Sequence, residues 1–241
     1  MKSFLIAFST LTIFPIPTGR WSPTQLKNSV IFYPLVGAVI GGLLALVCKS
    51  PLSNDIQALL ALLLWVVLTM AFHLDGLGDC LDGWFGGRTP KERRRIMKDA
   101  AMGVYGVTGI VLLVLFKYVL LEHLFTNENA WKWLIAIPAA ARYAVVFSCM
   151  RSTSPSGNKG LGSKVTRLSF PAFCFSSLMT LGLFFLLKWE TFGVLAIAII
   201  LSVLISALSK NRIGGLTGDG MGATIEMTEV CLLFLACLRL T

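Results

Sequence analysis

The chain has 241 residues, 56% of them hydrophobic and 14% charged, with a mean hydropathy of +0.78 and a net charge of +9. Soluble domains carry about 25% charged residues, so a soluble globular protein is excluded. Six cysteines standing singly, with no C-x-x-C pair, exclude a zinc site or a disulfide framework. In so apolar a chain the positive charge reports membrane orientation and not nucleic-acid binding.

The stretch 4–16 is too short to cross a bilayer, which takes roughly 20 apolar residues, and Pro15 and Pro17 break it. A lone Lys2 and the lack of a small-residue cleavage site argue against a signal peptide. Residues 1–29 are therefore expected to form an interfacial N-terminal segment. Seven apolar stretches follow, at 30–47, 56–72, 103–121, 131–147, 170–187, 192–208 and 223–240. They predict an all-α fold, a polytopic membrane helical bundle of about seven transmembrane helices, forming one integral membrane domain over residues 1–241. In the first span Gly37, Gly41 and Gly42 make a small-xxx-small pattern suited to close helix contact. Trp131 and Trp133 open the fourth span, where an interfacial aromatic belt belongs. The Ser- and Gly-rich stretch 152–163 reads equally well as a linker or as a flap over a site.

Basic residues gather in alternate loops. Arg88, Lys91, Arg93, Arg94, Arg95 and Lys98 follow span two. Arg151, Lys159, Lys164 and Arg167 follow span four, and Lys210 and Arg212 follow span six. The opposite loops hold Lys49 or Lys188 alone, or Glu122 and Glu128. The positive-inside rule then places the N-terminus and the basic loops in the cytoplasm and the C-terminus outside. That describes a multi-pass protein of the cytoplasmic (inner) membrane whose chemistry faces the cytoplasm, in loops at about 73–106 and 210–229.

Three of the six aspartates, Asp75, Asp79 and Asp82, lie within the run His73-Leu74-Asp75-Gly76-Leu77-Gly78-Asp79-Cys80-Leu81-Asp82-Gly83. If the helix of span two continues through this run, their i, i+4, i+7 spacing puts all three on one face. Like charges crowded at a membrane edge repel. A divalent cation relieves them, and carboxylates with Mg²⁺ are the usual equipment for phosphate chemistry. The plainer reading is that the Asp-Gly pairs mark a turn at a helix end. Farther on, Lys98 and Asp99 stand beside Gly103 and Gly106; the lysine can meet a phosphate and the aspartate can join the first cluster. The arginines at 93–95 read as an anchor to the anionic leaflet. A glycine-rich stretch around Gly218 and Asp219 could cradle phosphate on backbone N–H groups, although it is no Walker A sequence. Glu226 and Glu229 are placed at the cytoplasmic end of span seven, and Arg142 in the inner half of span four. Ionisable groups in a span are functional candidates; Arg142 either pairs with one of these acids or binds a phosphate. An ion-coupled transporter would hold its acids nearer mid-membrane, in broken helices.

These motifs resemble the cobalamin synthases, the adenosylcobinamide-GDP ribazoletransferases. The likeness begins in Phe8-Ser9-Thr10-Leu11-Thr12-Ile13-Phe14-Pro15-Ile16-Pro17 and Tyr33-Pro34-Leu35-Val36-Gly37. It continues through the aspartate run, through Ile96-Met97-Lys98-Asp99 with Gly103 and Gly106, and through Gly215-Leu216-Thr217-Gly218-Asp219 with Gly222, Ala223 and Glu226. The resemblance implies transfer of the cobinamide-phosphate moiety of adenosylcobinamide-GDP to α-ribazole or its 5′-phosphate, with release of GMP and Mg²⁺ as cofactor. It further implies metal ligands at Asp75, Asp79, Asp82 and Glu226, and catalytic roles for Asp82, Asp99 and Asp219. Arg88, Lys98, Arg142 and Gly218 would bind substrate. His73 would serve as a base or as a helix-end hydrogen-bonding group. The lipid bilayer, another copy of the chain or other corrinoid-pathway enzymes are the partners this implies, and nucleic acid is not. A CDP-alcohol phosphotransferase is the nearest rival, but its Asp-Gly-x-x-Ala-Arg signature is absent, since Asp82-Gly83 runs into Trp84-Phe85-Gly86-Gly87-Arg88.

Overall fold

A computed structural model describes residues 2–17, 19–155, 160–188 and 192–239, and those residues form helices with no strand among them. The chain opens with α1 (Lys2–Leu11), ten residues long and about 15 Å in length. It stops ahead of the two prolines, which cannot continue a helix, and it cannot span. The next helical segment runs from Pro23 to Lys49 as α2 (Pro23–Ser29), a 3-10 turn, α3 (Tyr33–Ala45) and a closing 3-10 turn. It begins seven residues earlier than hydropathy suggests. The reason is a capping box: the Ser22 hydroxyl accepts the Gln25 N–H and the Gln25 side chain accepts the Ser22 N–H, with Pro23 in the first turn.

The largest departure from expectation lies at span two. α4 (Asn54–Leu68) ends at Thr69, and α5 (Phe72–Gly86) starts afresh at an angle of 83°. Met70 and Ala71 between them are both left-handed, with φ of 52° and 53°. Such a conformation costs about 1–2 kcal/mol for a residue with a side chain. Tertiary hydrogen bonding supports the break: Ile13 N–H donates to the Leu68 carbonyl and Ala71 N–H to that of Val66, at 2.8 and 3.0 Å. The acidic run therefore does not prolong the second span. It forms a separate helix folded back across the end of the bundle.

The remaining elements are α6 (Pro90–Ile96), α7 (Val104–Leu124), α8 (Ala130–Arg151), α9 (Leu161–Val165), α10 (Phe170–Leu186), α11 (Phe192–Ile213) and α12 (Gly218–Leu238). Among the described residues five helical segments are long and apolar enough to cross a membrane, or six when the bent α4–α5 pair is counted as one broken span. α10, at 17 residues, is the seventh apolar helix of the predicted set. α8 and α12 are the most buried and form the axis of the bundle, with α3 against α8 and α5 and α7 against α12. Large apolar side chains such as Leu112, Leu115, Leu178, Phe185, Leu186 and Leu204 remain exposed on the outer helices. In a bilayer these rows face lipid, which requires no polar surface.

The glycine seam of the first span closes against α8. A methyl group at Gly37 would collide with the Pro138 carbonyl, and one at Gly41 with that of Leu134; Gly42 faces open space and takes no part. Close backbone approach across small residues is how membrane helices gain packing energy without a hydrophobic driving force. Gly41→Leu is therefore expected to separate α3 from α8 and leave little monodisperse protein on detergent size-exclusion chromatography, whereas Gly42→Leu should elute as wild type.

The segments that carry functional candidates meet at one end. Arg93 and Arg94 of α6 donate to the carbonyls of Arg212 and Ile213, the last residues of α11, at 3.3 and 2.6 Å. The Leu216 N–H, just before α12, donates to the Thr153 carbonyl, just after α8, at 3.0 Å. The three basic loops thus lie together beside α5.

Candidate active site

α5 crosses the first turn of α12 at glycines. A methyl at Gly76 would stand 3.0 Å from the Asp219 Cα, and one at Gly222 would stand 3.1 Å from the His73 carbonyl. α12 begins here because the Thr217 hydroxyl accepts the Gly220 N–H at 3.1 Å. The crossing sets Asp219 directly against the helix that bears Asp75 and Asp79. Asp75 is exposed, and Asp79 and Asp219 are half-buried. The charges acting on Asp79 come from Asp219 first and then from Asp75 and Asp82. Three carboxylates from two helices form an acidic end with hard oxygen donors, the kind that suit Mg²⁺, which takes one or two protein carboxylates and completes its shell with water and substrate phosphates. Among the described residues no three His, Cys, Asp or Glu side chains stand close enough to hold an ion unaided.

Asp82 shares the predicted face by sequence position, but its carboxylate is committed to the backbone. Its two oxygens accept the N–H groups of Gly103 and Gly106 at 2.7 and 2.9 Å, and the residue is buried. Those amides open α7, so Asp82 caps that helix and its charge complements the positive end of the helix dipole. Asp82, expected as a metal ligand and catalytic residue, in this structure serves as a helix cap. Both glycines are needed there, because a methyl at either would occupy the space of the carboxylate. Asp82→Ala is expected to cost about 1–2 kcal/mol, seen as a lower melting temperature in detergent and faster hydrogen exchange at 103–106. Asp82→Asn, which keeps one acceptor, should cost less.

The other basic and acidic candidates lie on the adjoining loop. The Thr89 hydroxyl caps α6 through the Glu92 N–H at 3.2 Å, and Glu92 in turn accepts the Arg88 N–H at 2.9 Å. That backbone bond holds the Glu92 carboxyl below its ordinary range, and the charges of Arg88 and Arg95 add to the effect. The Arg88 side chain is exposed, as are Lys98 and Asp99; Asp99 accepts the Ala101 N–H at 3.2 Å and so shapes the turn that leads into α7. Arg93 and Arg94, expected as leaflet anchors, instead hydrogen-bond the final carbonyls of α11, a favourable place for cations. Gly218 is half-buried beneath α9, where a methyl at Gly162 would strike its backbone nitrogen. Of the Ser- and Gly-rich stretch, residues 156–159, including Lys159, lie outside the described residues.

Glu226 and Arg142 take no part in the acidic end. Because α12 starts at Gly218 and not near 223, Glu226 and Glu229 lie eight and eleven residues along it, about 12 and 16 Å deep. There Lys117 of α7 pairs with Glu226 at 2.7 Å and Glu229 at 2.6 Å, and Glu229 also pairs with Arg142 of α8. All four are buried. Two cations and two anions make the cluster neutral, which is what a site in the hydrocarbon layer demands. Its outer members are also placed. The Lys117 ammonium lies 4.7 Å from the Trp65 ring centroid, and an Arg142 nitrogen lies 3.4 Å from His73 Nδ1. His73 is buried, and its Nε2 has no hydrogen-bond partner among the described residues. Glu226, expected as a metal ligand, here pairs with Lys117, and Arg142, expected as a phosphate ligand, here pairs with Glu229. Sequence reasoning passed over Lys117 altogether; a lone lysine thirteen residues into an apolar helix was the available signal.

The fold and this end together define an integral membrane protein of the helical-bundle class, with a carboxylate-lined site between two crossing helices and basic loops around it. Residues 3–237 match the model of the cobalamin-5-phosphate synthase family, and the chain belongs to that family. Relatives named adenosylcobinamide-GDP ribazoletransferase include one from Acinetobacter baumannii (strain ACICU), 38% identical over 97% of this chain and 96% of its own length. Another, from Chlorobaculum tepidum, is 33% identical over 100% of this chain and 96% of its own. A third, from Thermoanaerobacter sp. (strain X514), is 31% identical over 95% and 94%. No solved structure matches the chain.

Proposed function

We propose that the protein is an adenosylcobinamide-GDP ribazoletransferase that joins cobinamide phosphate to α-ribazole, or to its 5′-phosphate, at the crossing of α5 and α12. The observation that carries this reading is the convergence of Asp75, Asp79 and Asp219 beside three basic loops, in a chain that matches this family from end to end. In the reaction an acceptor hydroxyl oxygen forms a bond to the phosphorus of the cobinamide-phosphate unit. The bond from that phosphorus to the bridging oxygen breaks, GMP leaves, and the hydroxyl proton is lost.

One or two of the carboxylates of Asp75, Asp79 and Asp219, together with the substrate diphosphate, would hold Mg²⁺, which when bound would supply positive charge against the pyrophosphate and the departing GMP. Lys98 and Arg88, exposed on the adjoining loop, supply further positive charge to the diphosphate. Asp99 orients the acceptor from the same loop. Asp82 holds the start of α7 and thereby fixes α5 in place. The site faces the cytoplasm, where the positive-inside rule puts the three basic loops and where a nucleotide-bearing substrate is met.

Purified protein in detergent tests the reading. GMP should appear from adenosylcobinamide-GDP only when α-ribazole or its 5′-phosphate is added. EDTA should stop release and Mg²⁺ should restore it. Release of GMP without an acceptor, or turnover insensitive to chelation, would contradict the mechanism.

A further inference from the structure

A cavity of about 300 Å³ opens between the final turns of α8 and α11, apart from the carboxylates. Its chemistry is unlike that of the rest of the bundle. Ser148 of α8 hydrogen-bonds Ser202 and Ser206 of α11, at 2.7 and 3.0 Å, and all three residues line the cavity. Arg151 and Lys210, both exposed, line it from the two helix ends. No carboxylate lines it. Among the described residues neither cation has an ion-pair partner; Arg151 lies 5.7 Å from the Phe147 ring.

Serines in a membrane helix face neighbours that can satisfy them, and here they satisfy one another, with Ser206 half-buried at the cavity. Two cations at the last turns of two helices complement the negative ends of those helices. They also leave a surplus of positive charge that no protein acid answers. A guanidinium, an ammonium and a half-buried serine hydroxyl are groups that recognise a phosphate ester.

We propose that this cavity binds the phosphate group of a second ligand, a phosphomonoester or phosphodiester distinct from the pyrophosphate at the aspartates. Two sources share that chemistry: the 5′-phosphate of the acceptor and the headgroup of an anionic lipid in the adjoining leaflet. The wall of the cavity is Gly215-Leu216, and the Leu216 N–H bond to Thr153 ties it to the end of α8. Asp219 lies only three residues beyond Leu216. A phosphate seated here would therefore steady the segment that leads into Asp219. The acceptor arm rests on the function proposed above; the cavity and its lipid arm do not.

The experiment compares wild type with Arg151→Ala/Lys210→Ala, in detergent and in nanodiscs. If the acceptor phosphate is the ligand, KM for α-ribazole 5′-phosphate rises about tenfold or more, the loss expected for charge-assisted hydrogen bonds. KM for unphosphorylated α-ribazole then stays unchanged, which also shows that the variant folds. If a lipid is the ligand, native mass spectrometry shows phosphatidylglycerol, and not phosphatidylcholine, retained by wild type and lost from the variant. Serine-to-alanine change at Ser206, with both cations kept, should weaken the same ligand more mildly. Unchanged KM for both acceptors together with equal retention of phosphatidylglycerol would overturn the proposal. If wild type releases no GMP from any acceptor, the proposed activity fails, and the lipid measurement still decides the cavity.

Discussion

Asp79→Asn and Asp219→Asn should each lower turnover by about 10²–10³-fold, with helix content and detergent melting close to wild type. The amide keeps the size of the side chain but removes the charge that a divalent cation needs, and electrostatic stabilisation at a phosphoryl-transfer site is worth about that much. Asp79 is half-buried and feels three other carboxylates, Asp219 most of all. A neutral residue there relieves repulsion in the metal-free protein, so the folded state should not suffer. The measurement is initial-rate GMP release at saturating Mg²⁺, with circular dichroism on the same samples. Near wild-type turnover in both variants would make the α5–α12 crossing a packing feature and move the chemistry elsewhere. Asp82→Asn is the internal control. Since its oxygens serve α7, its rate loss should follow its loss of stability.

Lys117→Met should destabilise the protein by about 3–5 kcal/mol, the usual consequence of leaving a buried charge without its partner. Removing the ammonium leaves Glu226 and Glu229 facing Arg142 alone, a net negative charge in the middle of the bundle. Adding Glu226→Gln restores neutrality, with Arg142 and Glu229 still paired. The double variant should therefore regain most of the loss, a pattern that differential scanning fluorimetry in detergent would show. Additive losses would mean that the two residues are not coupled. A Glu226→Gln variant whose activity falls far more than its stability would return that residue to the metal site.

Hydropathy made the spans legible, since each had only to be long and apolar, and the seam of Gly37 and Gly41 was legible from spacing. The break at Met70-Ala71 was not. It carries neither glycine nor proline, and the apolar run passes through it without change; tertiary contacts from Ile13 and the packing of α5 impose it. Asp75 and Asp79 could be read as a cluster because local register decides it. The same register could not show the partners of Asp82, Gly103 and Gly106, which are 21 and 24 residues away. The start of α12 was misplaced because a glycine-rich first turn lowers hydropathy, and that error put Glu226 at a membrane edge. A single lysine scarcely changes the average over the 21 residues of α7, so Lys117 left no trace in a method built on averages.

The ion cluster also sets a schedule for assembly. Lys117 is synthesised 109 residues before Glu226 and 112 before Glu229, and both acids belong to the final helix. Until that helix arrives, α7 presents an unanswered ammonium to the lipid, at a depth where solitary charge is poorly tolerated. The burial of Lys117 is therefore complete only once α12 has been made and has docked, so that one helix supplies the charge that lets the other be buried.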